Sequence, residues 1–177
     1  MGPDADPEAV LAMTQQLGLD QPALTRYWQW ISSLLHGDMG TSYAYGSPVS
    51  ELVWERILVT VPLAIMAMGI TAVLAIAAGV FAAANHKRWG DVGVMGLAQI
   101  GIAIPNFWFA ILLILLFSVK LQWFSAGGFP GWSEEAGGGF WPALQALLLP
   151  AVSLAVVQAA ILARITRSAV LEVLRED

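Results

Sequence analysis

Three blocks of the chain, Ile57 to His86, Val92 to Val119 and Ala136 to Ala163, contain no Asp, Glu, Lys or Arg. Each is longer than the roughly 20 residues a helix needs to cross about 30 Å of hydrocarbon. Within them apolar residues occupy every helical face, as a lipid environment or a bundle interior requires. The pattern predicts an all-α, polytopic membrane protein whose three transmembrane helices cover residues 57–84, 93–118 and 143–163. Three buried helices of a soluble core would need a far larger polar shell than this chain supplies.

Polar positions gather in the first 56 residues, which read as an extracytoplasmic helical segment ahead of a membrane region at 57–177. Asp6-Pro7-Glu8 has the form of an N-cap, a first helical residue and an acidic first turn, and Gly18 that of a helix stop. A second helix is expected from Pro22 to Leu35, before Gly37. Its Leu24, Tyr27, Trp28, Ile31, Leu34 and Leu35 recur at steps of three and four, giving one aromatic-rich face suited to a membrane interface or to the bundle. After the Gly/Ser/Tyr-rich loop 36–48, Ser47-Pro48 can start a helix that continues into the first span. A tight polar turn, "HKRWGD" at 86–91, joins spans one and two. About twenty Gly-rich residues join spans two and three, too few for a domain.

Composition agrees with this division: 58% of residues are hydrophobic and 12% charged, with a mean hydropathy of +0.69. A soluble domain carries about twice that charge. Cysteine is absent, which excludes disulfides and thiolate metal sites. The first 30 residues hold Asp4, Asp6, Glu8 and Asp20 without an apolar run, so they do not form a signal peptide.

Charge placement gives an orientation. Lys87 and Arg88 lie in the first turn, and Arg164, Arg167 and Arg175 follow the third span; three crossings put both groups on one side. That side is expected to be cytoplasmic. The other keeps Arg26, Arg56 and Lys120 with the acids of the N-terminal segment and Glu134 and Glu135. Trp28, Trp30, Trp54, Trp123, Trp132 and Trp141 also fall there, as an outer aromatic belt. An acidic segment of 56 residues outside either translocates as an N-terminal tail or follows a transmembrane helix that is not in this sequence, the second being the more natural for a segment this long.

No catalytic, cofactor or metal constellation is expected, and nothing points to nucleic acid. His36 and His86 fall on opposite sides of the membrane by this topology. Gly90, Gly93 and Gly96 lack the strand that a nucleotide-binding fingerprint needs, and read instead as sites of close helix packing. Ala75, Gly79 and Ala83 have small-xxx-small spacing in span one. Pro62, Pro105 and Pro150 interrupt the apolar blocks, and Gln99, Asn106 and Gln158 place amides in or near them. Such amides serve either as hydrogen-bonded glue between helices or as the lining of a polar, hinged path. Past Ala163 the helix becomes amphipathic: Ile165, Ala169, Val173 and Leu174 share a face, while Arg164, Arg167, Glu172, Arg175 and Glu176 are expected to meet water. No Gly, Asn or Pro closes this helix, so it is expected to run on.

Several stretches resemble a known family. "LGLDQPALTRYWQWISSLLHGDMGTSYAYGSPVSELVWERILVTVPLA" at 17–64, "IAIPNFWFAILLILLF" at 102–117 and "LLLPAVSLAVVQAAILARITRSAVLEVLRED" at 147–177 are similar, in order, to segments of dipeptide/oligopeptide/nickel-type ABC transporter permeases. The resemblance implies a permease subunit of an importer for peptides or related small solutes, in the cytoplasmic membrane of a prokaryote. Its implied partners are a second permease subunit, two ATP-binding subunits that hydrolyse ATP, and an extracytoplasmic solute-binding protein; the chain itself is then no enzyme. It further implies a central fragment, without the family's first transmembrane helix, its cytoplasmic EAA coupling loop and its last two helices. Gln99, Pro105, Asn106 and Gln158 become candidates for the translocation path. Arg164, Arg167, Glu172, Arg175 and Glu176 become the approach to the coupling loop. The alternative is a small membrane scaffold with no transport role.

Overall fold

The structure, a computed structural model, describes residues 7–176 and forms two compact units, residues 1–58 and 59–177. Asp4, Asp6 and Asp177 lie outside the described residues, as does the side chain of Glu176.

In the first unit, α1 covers Pro7–Gln16 and α2 covers Ala23–Leu35. Gly18 and Gly37 end them with left-handed backbone (φ +61° and +84°), where a side chain would be strained. Leu24, Tyr27, Trp28, Leu34 and Leu35 of α2 are exposed, so its apolar face has no cover within the described residues. The loop that follows is pinched by an isolated bridge between Thr41 and Pro48, one residue before α3 begins.

Helix α3, Val49–Ala84, is 36 residues long, and α6, Phe140–Glu176, is 37. Both are long and apolar enough to cross a membrane. Between them run α4 (Trp89–Ala103), α5 (Asn106–Leu113) and a π-helical continuation, Ile114–Lys120. This middle segment differs from the single helix expected over 93–118. It is broken at Pro105 and bent by 99°. Ile104 and Pro105 both have extended backbone (ψ 124° and 133°), the conformation a proline imposes on its predecessor. Pro62 and Pro150, in contrast, lie within continuous helices.

The interior of the second unit is made of small side chains. On α3, Ala67, Thr71, Ala75, Gly79 and Ala83 are buried, each four residues from the last. On α6, Ala143, Leu147, Ala151, Ala155, Ala159 and Ala163 repeat the same interval. Larger residues such as Ile65, Met68 and Val73 point outward. This inversion follows from the solvent: lipid is as apolar as leucine, so helices associate through close approach of small residues rather than by hiding large ones. The expected packing role of Ala75, Gly79 and Ala83 is realised. Of the three glycines at the start of α4, only Gly90 is confined, by Asn85 and Phe81; Gly93 and Gly96 face open space.

Contacts give the directions of the helices. Thr71 Oγ1 donates to the Ala155 carbonyl at 3.4 Å, and Gly79 lies against Ala163 and Thr166, so α3 and α6 run parallel. Along α4 the partners on α6 descend: Asp91 meets Arg167, Gln99 meets Arg164 and Gly101 faces Ala160. Farther on, Ile114 shares a cavity of about 330 Å³ with Leu147, Leu149 and Pro150 of α6 and with Val59 and Leu63 of α3. The middle segment therefore returns along the length of α6 despite its break.

Candidate functional site

The turn after α3 is built by local hydrogen bonds. The Asn85 amide and its side chain both donate to the Phe81 carbonyl, His86 N donates to Ala83, and Arg88 N to Asn85. Lys87 takes left-handed backbone (φ +61°), which reverses the chain and places Asp91 in the first turn of α4. An acid there suits the positive end of the helix dipole. A Cβ added to Gly90 would stand 3.2 Å from Asn85 Cβ and the Phe81 ring, so a side chain here would press both neighbours back by a few tenths of an ångström.

Asp91 is only 5% exposed, and four donors or rings converge on it. Arg167 of α6 grips the carboxylate with two prongs, Nε to Oδ1 at 2.5 Å and Nη2 to Oδ2 at 2.6 Å. The Lys87 amide donates to Oδ2 at 3.2 Å, and His86 Nδ1 stands 3.2 Å from the same oxygen. His86 Nδ1 is also 3.1 Å from Arg167 Nη2. Guanidinium nitrogens only donate, so a neutral ring with its proton on Nε2 accepts from Arg167, whereas a proton on Nδ1 is directed at Asp91. A forked arginine–carboxylate pair fixes orientation as well as distance.

A second tie lies beside it. Arg164 Nη2 donates to Gln99 Oε1 at 2.8 Å on an exposed face. Of the residues expected along a polar path, Gln99 is thus drawn to α6, while Pro105 sits at the break. Asn106 and Gln158 are exposed, and neither side chain is hydrogen-bonded within the described residues. Of the residues expected at the coupling approach, Arg164, Glu172 and Arg175 are exposed. Arg167 is not, and here the expectation of a water-facing arginine is corrected: its side chain turns inward to Asp91. His86, Arg167, Ser168, Leu171, Glu172 and Arg175 line a polar cleft of about 500 Å³. Sequence reasoning missed Asp91. The available signal was a lone acid in a basic turn, assigned to the same side of the membrane as the arginines that follow the third span.

The family described as the binding-protein-dependent transport system inner membrane component matches residues 75–177. The chain belongs to that family. The matched part of this inner membrane component begins inside α3 and contains Gly79, the turn, and all of α4 to α6. Over 176 residues, 99% of the chain, it is 44% identical to proteins named as peptide transport system permeases of Brucella suis biovar 1 and Brucella abortus. It is 38% identical, again over 99% of its length, to the glutathione transport system permease protein of Salmonella typhimurium. The chain spans about half the length of these curated relatives, 55% and 54% respectively.

Proposed function

We propose that the chain forms part of a permease subunit of an ABC importer, moving peptides or related small solutes across the cytoplasmic membrane. The observation that carries this reading is the collinear identity of nearly the whole chain to permeases of peptide and glutathione transport systems. Partners follow from the family's dependence on a binding protein: an extracytoplasmic solute-binding protein, a second permease subunit, and two ATP-binding subunits in which ATP is hydrolysed. A scaffold without transport gains no support from these relatives.

The chain crosses the membrane three times, with the bent α4–α5 segment as the middle crossing, and the one-way run of its contacts along α6 supports this. Residues 1–56 lie outside, where the exposed aromatic face of α2 fits the membrane interface. The turn at 86–91 and the end of α6 lie in the cytoplasm, in line with their basic residues. Pro105, Asn106, Gln99 and Gln158 border the path. Arg164, Arg167, Glu172, Arg175 and Glu176 lead toward the ATPase contact.

The test is uptake in the host after deletion of the gene. Loss of labelled trialanine or glutathione uptake, restored by the full chain as encoded, is expected. Unchanged uptake of both, and of chelated nickel, would sink the reading.

A further inference from the structure

Among the described residues, polar side-chain ties between the helices of the second unit gather at one end. At the tied end Gly79 admits Ala163 and Thr166, Arg164 holds Gln99, and Arg167 holds Asp91. Toward the opposite end, Val59 of α3, Ile114 of the π-helical segment and Leu147 of α6 line a mainly apolar cavity. Beyond Arg167, α6 continues to Glu176 as an exposed arm, with Val173 and Leu174 each 61% exposed.

We infer that the Asp91–Arg167 pair is a latch that joins the α3–α4 turn to the arm of α6, so that the two move as one body. The two groups are 76 residues apart in the chain, so no local structure requires their meeting. The fork restrains the guanidinium in angle as well as distance, which a single hydrogen bond does not. The same carboxylate holds the Lys87 amide, so the pull of Arg167 reaches the backbone of the turn directly. Burial strengthens the latch: Asp91 is 5% exposed, so a carboxylate that loses its cation here is left largely uncompensated. The Gln99–Arg164 bond is exposed and can exchange with water, and it does not serve this purpose. Buried ion pairs add little net stability compared with apolar packing. Their use is positional, and here the position joins a helical turn to the arm nearest the proposed ATPase contact. Asp91 and Arg167 are positioning residues for transport. The meaning of the motion rests on the permease reading; the existence of the latch does not.

The absence of native cysteine allows a direct test. Nitroxides at Ala84→Cys and Ala169→Cys, both exposed positions, report the separation of turn and arm in the full chain assembled with its partner subunits in liposomes. The expected distance distribution is narrow, and the same without nucleotide and after trapping with ATP and vanadate. Asp91→Asn is expected to broaden it, and the exchange Asp91→Arg with Arg167→Asp to narrow it again. Should Asp91→Asn not assemble, Arg167→Lys, which keeps the charge without the fork, is expected to give intermediate breadth. In parallel, trialanine or glutathione taken up per ATP hydrolysed should fall by about 5-fold or more in Asp91→Asn. The exchanged pair should recover it. A distribution that stays narrow in Asp91→Asn and Arg167→Lys, or stays broad in the exchanged pair, overturns the latch. Native chain that moves neither probe counts against the permease reading alone, since the distances still judge the latch.

Discussion

Gly79 and Gly93 look alike in the sequence and behave differently in the molecule. A Cβ at Gly79 would fall 2.6 Å from Thr166 Cβ and 2.8 Å from the Ala163 carbonyl oxygen, and a backbone atom cannot step aside cheaply. Gly79→Ala is therefore expected to cost about 1–3 kcal/mol, by overpacking the α3–α6 contact. At Gly93 nothing lies within 4 Å, so Gly93→Ala should be neutral or gain up to about 1 kcal/mol from helix propensity. Thermal unfolding of the two variants in detergent checks this; equal loss in both would mean that the α3–α6 approach is wrong. Small-residue spacing pointed to Gly79 correctly. It pointed to Gly93 and Gly96 as well, because spacing alone does not say which face of a helix has a neighbour.

Between α4 and α5 the amides fall into two classes that the sequence left open. Gln99 is hydrogen-bonded to Arg164, so Gln99→Leu should lower detergent stability by about 1 kcal/mol, the net worth of one such bond. Asn106 opens α5, exposed, and its side chain makes no hydrogen bond among the described residues. Asn106→Leu is expected to leave insertion and the unfolding temperature unchanged and to reduce uptake by the assembled transporter. Normal uptake with reduced stability would instead make Asn106 an internal tie. Element boundaries show the same division of information. Helices α2 and α3 begin one residue after the expected starts at Pro22 and Pro48, and Gly18 and Gly37 follow α1 and α2 as stops. The break at Pro105 was not foreseen, because the block from Val92 to Val119 is free of charge on both sides of it and a proline of the same kind is absorbed at 62 and 150.

At the scale of the whole chain the proposed topology has a simple readout. Single cysteines at Asn85 and Ala169 should react with an impermeant thiol reagent only after permeabilisation, and one at Ser133 in intact cells. Positions 85 and 169 must agree with each other, since Asp91 and Arg167 hold that end of α3 and α6 together. Labelling of 85 and 133 from the same side would make the α4–α5 segment re-entrant and end the three-crossing account. The sequence by itself determined what composition and periodicity can determine: a helical membrane protein, its charge-free blocks, the segments in which its basic and acidic residues gather, and the family to which it belongs. Tertiary structure alone decided that α3 and α6 touch, which alanines are inside, and the meeting of Asp91 with Arg167. The reason is physical. In lipid the outward and inward faces of a helix are both apolar, so hydropathy separates protein from water but not one helix face from another. A buried charge pair between distant segments is likewise invisible until the helices that carry it are placed side by side.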